Sequence, residues 1–257
     1  MLYCDTHVHS FRSFVGAPNM TLGNIAQKAA ELGVGVVAIT DHLMKPEDVE
    51  GLKATKRDIM EFNAKAMDGV KILYGVEVCV TGKDGSTLFT RGLADELACD
   101  VVIGGVHETY MPKGASLGDM VTEQCRHHIM LMENPLMDIL VHPWWLDKAE
   151  FERLGIPWPD DLSFIPKDRI IELAHTSKAT GTYIEISTMS GLCNKDVSER
   201  FRADFYDYYR LLYEEGALFA IGTDTHELSE MGTFSLAKSL IASIGMDEER
   251  LYRPDGI

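Results

Sequence analysis

Short apolar, β-branched runs recur along the chain, and most are followed by a longer stretch whose apolar residues fall at helical spacing. Runs of four to eight such residues read as buried strands, and a 3.6-residue period reads as an amphipathic helix. Strands are predicted at 2–6, 34–40, 71–78, 100–106, 137–141, 182–186 and 217–223. Helices are predicted at 21–32, 53–68, 117–133, 167–180, 196–215 and 234–244, the first opened by Thr21, whose hydroxyl can cap the free amides of the first turn. Seven strands, six of them followed by a helix, indicate an α/β fold of βα units around a parallel sheet or barrel.

Two segments depart from the alternation. Gly82-Lys83-Asp84-Gly85 has the chemistry of a tight reversal, so 78–88 is expected to form a hairpin. The stretch 144–166 carries Trp144, Trp145 and Trp158 among three prolines. A connection of that length is either a functional lid or pocket wall, or an insertion that buries its own tryptophans. With no internal repeat, low-complexity tract or linker in view, one domain over 1–257 is expected.

Composition narrows the classes. Hydrophobic residues make up 46% and charged residues 25%, ordinary for a globular protein, while a net charge of −16 speaks against a general nucleic-acid surface. A small phosphorylated molecule is still admissible, since metal ions inside a pocket can hold a phosphate whatever the outer surface carries. The five cysteines are scattered and never form C-x-x-C, so reduced thiols are expected rather than a disulfide framework or a thiolate zinc site. No secretory leader and no apolar run long enough to span a bilayer is seen, and a soluble, cytoplasmic protein with no membrane partner is expected.

The histidines change the picture most. His7 and His9 lie at the end of the first strand in DTHVH, His42 follows the second in ITDH, His107 the fourth in GGVHE, and His142 the fifth in LVHP. Glu77 is near the end of the third strand in YGVEV, and Asp224 and His226 follow the last in GTDTH. In a parallel barrel the carboxyl ends of all strands share one face, where such proteins build their active sites. Six imidazoles and two carboxylates gathered there suit zinc, manganese or iron, and a carboxylate can bridge two ions through its two oxygens. His127, His128 and His175 fall within helical patterns and are read as structural. Asp5 and Asp41 are candidates to accept the second ring proton of a ligand histidine, or equally to make turn or strand-end hydrogen bonds.

The order DTHVH, ITDH, GVEV, GGVH, VHP and GTDTH, spanning positions 5 to 226, resembles the PHP family, named for polymerase and histidinol phosphatase domains. The resemblance implies a distorted seven-stranded TIM-like (β/α)7 barrel with two or three divalent metal ions and metal-dependent phosphoester hydrolysis. It implies one ion held by His7, His9, Glu77 and Asp224, a second by Glu77, His107 and His142, and a third by His42 and His226. Many relatives supply a further His or Asp soon after the H-x-H, where this chain reads Ser10 to Val15, and Ser187 stands where they often have Asn.

The leading expectation is therefore hydrolysis of a small phosphate monoester, such as histidinol phosphate, a nucleotide or a sugar phosphate, by a metal-activated hydroxide. Glu77, Asp224 and His226 are the expected catalytic residues, His226 assisting the leaving group, and Arg12, Lys45 and Lys113 are candidate phosphate contacts. No G-x-S-x-G or similar nucleophile signature competes. The alternatives are an amidohydrolase-type hydrolase and a non-catalytic metal-dependent binding protein.

Overall fold

The computed structural model describes residues 3–65, 69–144 and 147–254. Its strands are β1 (Tyr3–Val8), β2 (Val34–Ile39), β3 (His42–Leu43), β4 (Lys71–Cys79), β5 (Val101–Gly105), β6 (Ile139–Leu140), β7 (Tyr183–Ser187) and β8 (Phe219–Gly222). All pair in parallel, in the order β1-β2-β4-β5-β6-β7-β8, with the short β3 extending the line of β2 beside β4. The ends of this row meet: His9 N donates to Thr225 O (3.0 Å), Asp224 N to His7 O (2.8 Å) and Thr6 Oγ1 to Ile221 O (3.0 Å). The result is a nearly closed α/β barrel. Helices α1 (Leu22–Leu32), α2 (Asp48–Ala64), α3 (Arg91–Leu97), α4 (Leu117–Glu133), α5 (Lys148–Leu154), α6 (Lys167–Thr180), α7 (Glu199–Glu214) and α8 (Phe234–Ile244) occupy the connections. Among the described residues no helix is long and apolar enough to cross a membrane.

The expected strands and the six expected helices are all present, and α4, α6 and α8 have the predicted bounds. The periodicity missed α3 and α5, each only seven residues long and therefore too short to show a repeating apolar face. Capping side chains start both: Thr90 accepts from Leu93 N and Asp147 from Glu150 N. The expected hairpin is reduced to a tight reversal with one antiparallel bridge, Val80 to Thr87. Both edges of β4 are already paired, by β2 and β3 on one side and β5 on the other, so Val78 cannot also join a hairpin ladder. The 144–166 stretch buries Trp144, Phe151, Leu154, Ile156, Leu162 and Ile165, and Trp158 packs edge-on against Phe151 at 5.0 Å. Leu2, residues 66–68 and Trp145, which the pattern placed in the first strand, the second helix and this stretch, lie outside the described residues.

Strand alternation separates two apolar layers. Val37, Ile39, Ile72, Tyr74, Val76 and Val78 face outward onto the helices, whereas Val36, Ala38, Leu73, Val101, Ile103 and Ala220 fill the barrel. In β1, Cys4 belongs to the inner layer and Val8 to the outer, and the register against β2 shifts between Asp5 and Val8. That irregularity is what turns both His7 and His9 inward.

Asp5 fastens the closing seam. Its carboxylate accepts from Thr223 N (3.0 Å), Thr223 Oγ1 (2.8 Å) and His7 N (3.3 Å), all buried. Asp5→Ala removes these acceptors and strands a buried N–H, so urea unfolding should show a loss of about 3 kcal/mol. Thr223→Val, which keeps the backbone bond, should lose about 1 kcal/mol.

Candidate metal centre

The inner positions of β4 run Leu73, Gly75, Glu77, Cys79 from the apolar floor of the barrel toward its mouth. His42 pairs with Glu77 in register, and His107 follows two residues after Gly105, the partner of Cys79. His142 and Asp224 reach inward by a different device, a left-handed backbone (φ 30° and 55°) that non-glycine residues adopt at a cost of about 1–3 kcal/mol. Each is held there by a short bond: His142 N donates to Glu185 Oε2 (2.7 Å), and Asp224 N to His7 O (2.8 Å).

Glu77, with no solvent exposure, is the hub. Its Oε2 lies 3.0 Å from His42 Nε2, 3.3 Å from His7 Nε2 and 3.4 Å from His9 Nε2. Its Oε1 lies 3.0 Å from His142 Nε2 and 3.1 Å from His107 Nε2. Asp224 Oδ1 stands 3.4 Å from His7 Nε2, 3.3 Å from His9 Nε2 and 3.3 Å from His226 Nε2. The two ring nitrogens of His7 and His9 face each other at 3.2 Å. Thus His7 Nε2 and His9 Nε2 form a pair 3.2 Å apart, and Glu77 Oε2 and Asp224 Oδ1 each lie 3.3 to 3.4 Å from both rings. Atoms bonded at 2.0–2.1 Å around a tetrahedral ion stand about 3.4 Å apart, so His7, His9 and Asp224 are spaced to receive one, with Glu77 Oε2 at the same distance from both rings.

The groups behind the cluster differ from expectation. His7 Nδ1 donates to Glu185 Oε1 (2.7 Å), not to Asp5, whose carboxylate is engaged at the barrel seam. This fixes the tautomer that leaves Nε2 facing the cluster. Glu185 is wholly buried, and a Cβ at Gly222 would collide with its Oε1, so that glycine makes room for it. An acid inside the apolar run TYIEIS was the available signal, and the strand-end rule passed over it because Glu185 lies mid-strand. Asp41 accepts from Ser10 N (2.8 Å), Ser10 Oγ (2.7 Å) and Thr55 Oγ1 (2.9 Å), anchoring the loop after β1 rather than a histidine ring. Near β7 it is Ser190 that reaches the cluster: its Oγ donates to Asp224 Oδ2 (3.0 Å) from the turn after the strand, whereas Ser187 N meets Tyr209 Oη.

Burial alone would neutralise Glu77, but His42, His7 and His107 hold its carboxyl well below the usual range. Asp224 is likewise kept low against burial, chiefly by His7 and by hydrogen bonds from His226 and His9. For His7 burial disfavours the charged form, yet Asp224, Glu185 and Glu77 outweigh it and raise the pKa well above ordinary. His42 is pushed down to about 3, by burial first and then, against the pull of Glu77, by its histidine neighbours. Ionised carboxylates and imidazole nitrogens converging on small gaps are what divalent metal ions bind once the ring protons are displaced, and the residues present fit such ions.

A cavity of about 240 Å³ opens beside His42, lined by Arg12, Ser13, Phe14, Lys45 and Asp48 among others. Phe14 is largely exposed, its ring 5.0 Å from that of His42, in the segment where a further ligand was absent. The Arg12 guanidinium is tied to Asp58 (2.7 Å), and Lys113 lies exposed in the turn 112–115, away from this lining. His226 is partly exposed at the rim, its ring 4.9 Å from His9. His127 and His128 are buried on α4, and exposed His175 pairs with Glu215 (3.0 Å).

Known proteins resemble the chain throughout its length. A probable phosphatase of Thermoanaerobacter sp. (strain X514) is 25% identical over 99% of this chain and 91% of its own. Another probable phosphatase, of Caldanaerobacter subterraneus subsp. tengcongensis, is 28% identical over 96% of this chain and 85% of its own. In fold the chain is similar to histidinol phosphate phosphatase from Lactococcus lactis, crystallised with zinc, L-histidinol and phosphate, with a TM-score of 0.68 at 17% identity over 96% of this chain and 95% of that one. The PHP domain model matches residues 5–142, from the start of DTHVH to the histidine of LVHP, and the chain belongs to the PHP domain family.

Proposed function

We propose that this protein is a metal-dependent phosphoesterase that releases phosphate from a small monoester at the Glu77 cluster. The observation that carries this reading is one buried carboxylate whose two oxygens are each met by imidazole nitrogens at 3.0 to 3.4 Å. Within it, His7, His9, Glu77 and Asp224 would hold one divalent ion, and Glu77, His107 and His142 a second. His42 and His226 would serve a third. Such ions, zinc, manganese or iron, lower the pKa of water and neutralise charge on a phosphoryl group.

The protein's own groups orient the reaction. Glu185 fixes the His7 ring and the His142 backbone, and Ser190 holds the outer oxygen of Asp224. Asp224 raises the pKa of His226 despite partial burial, so with no third ion in place His226 would keep a proton for the departing alkoxide. The cavity at His42 accepts a small leaving group, with Lys45 and Arg12 at hand for a phosphate oxygen. The Lactococcus protein was crystallised with L-histidinol and phosphate, so histidinol phosphate heads the substrates to try, followed by nucleotides and sugar phosphates. One sheet running from Tyr3 to Gly222 supports treating 1–257 as a single catalytic domain. Family membership counts against the amidohydrolase alternative.

Protein loaded with Mn²⁺ or Zn²⁺ should release phosphate from at least one monoester in that panel. Glu77→Gln should lose both metal and more than about a hundredfold of kcat/KM. Tightly bound metal with no hydrolysis of any ester would leave the binding-protein alternative standing. In Glu185→Gln the side chain can no longer accept both bonds, and chelator competition should show metal affinity down about 10- to 100-fold with the fold retained. Because His7 has a raised pKa, an entering ion must displace its Nε2 proton. Apparent affinity should therefore fall on acidification from pH 8 to 6, by about tenfold per unit for each proton displaced, with proton release visible by calorimetry in buffers of different ionisation enthalpy.

A further inference from the structure

Among the described cysteines, Cys79 is placed unlike the others. Cys4 packs with Val36 and Ala38 in the apolar floor, and Cys125 faces Glu172 among the outer helices. Cys79 is fully buried on the inner face of β4, two residues beyond Glu77, which sets it about 6.7 Å farther along the strand toward the mouth. Its neighbour across the ladder is Gly105, and a Cβ there would press to 2.6 Å from His142 Cε1, so the space beside the thiol is left to imidazole rings. Cys79 Sγ and one ring nitrogen each of His42 and His107 lie within 4.8 Å of one another. Both rings already turn Nε2 to the Glu77 carboxylate, at 3.0 and 3.1 Å, so the sulfur flanks the centre rather than the core.

We propose that Cys79 is a sulfur ligand of this centre, drawing His42 and His107 into a mixed sulfur–nitrogen site at the mouth end of β4 in place of their separate shares in the second and third ions. The inference rests on reading the Glu77 cluster as a metal centre. A small buried thiol is most often only a compact apolar filler. Two imidazole nitrogens within ligand reach of the same sulfur distinguish this one. On ligation the Sγ–H proton leaves to solvent and the sulfur lone pair forms the bond to the ion, with no change of oxidation state. Three protein donors leave room for an exchangeable position, and the soft sulfur biases the site toward zinc, cobalt or cadmium over manganese and magnesium.

Cobalt(II) is the probe, added to the purified full chain under reducing conditions. Wild type should develop a sulfur-to-cobalt charge-transfer band in the near ultraviolet. Cys79→Ser and Cys79→Ala should lose the band, His42→Ala should lose or markedly weaken it, and Cys125→Ser should keep it. Zinc-edge X-ray absorption of wild type, which needs no variant to fold, should report a sulfur neighbour at about 2.3 Å. Full cobalt loading without the band, an unchanged band in Cys79→Ser, or a zinc shell of nitrogen and oxygen alone would each overturn the proposal. The functional reading is scored separately: phosphate release without the band sinks only the sulfur ligand, and the band without phosphate release sinks only the phosphoesterase.

Discussion

A buried carboxylate sets the terms for the mouth of this barrel. Glu77 has no access to solvent, and an ionised acid in that position is tolerable only when opposite charge or hydrogen-bond donors surround it. Five imidazoles supply that surrounding, from β1, the loop beyond it, β3 and the segments after β5 and β6. Without a cation the same groups share protons, as the raised His7 and the lowered Glu77 and Asp224 indicate. The arrangement is held from behind by Glu185, Asp5 and Asp41, three acids that bind backbone amides and hydroxyls as much as rings. Acids do much of the structural fastening as well as the ligand work.

Strain is placed where it serves that assembly. His142 and Asp224 both take left-handed backbone conformations, and both are secured by a hydrogen bond of 2.8 Å or less from the same residue's amide. A regular strand end would carry these side chains past the mouth, whereas the turn at each aims them inward. Small residues complete the fit: Gly222 clears space for Glu185, and Gly105 for His142. Packing at the floor of the barrel is ordinary and apolar, so the polar mouth is built on a rigid base.

Much of this was legible along the chain. Strand-helix alternation predicted the α/β architecture, because parallel strands buried on both faces appear as short Val- and Ile-rich runs. The rule that barrel strands share a functional face then brought His7, His9, His42, Glu77, His107, His142, Asp224 and His226 together from positions over two hundred residues apart. Glu185 was harder to read, since a charged residue in mid-strand has no local pattern that tells a hidden acceptor from an edge position. Position in sequence leaves Asp5 and Asp41 open to a ligand ring or to strand-end hydrogen bonds, and the structure gives them to Thr223, Ser10 and Thr55. Arg12, a candidate phosphate contact, lines the cavity beside His42 while its Nε pairs with Asp58, a partner that its sequence neighbourhood does not show.

By itself, then, the sequence determined the residue types, their order and the side of the barrel on which they gather, since these follow from strand period and chain direction. Only the tertiary structure decided which atoms meet. A register shift in β1 turned the two first histidines to one side, two left-handed residues redirected His142 and Asp224, and the next inner position of β4 brought a cysteine to His42 and His107. Each of these depends on how segments distant in sequence pack and bond to one another. Local patterns carry no record of such contacts.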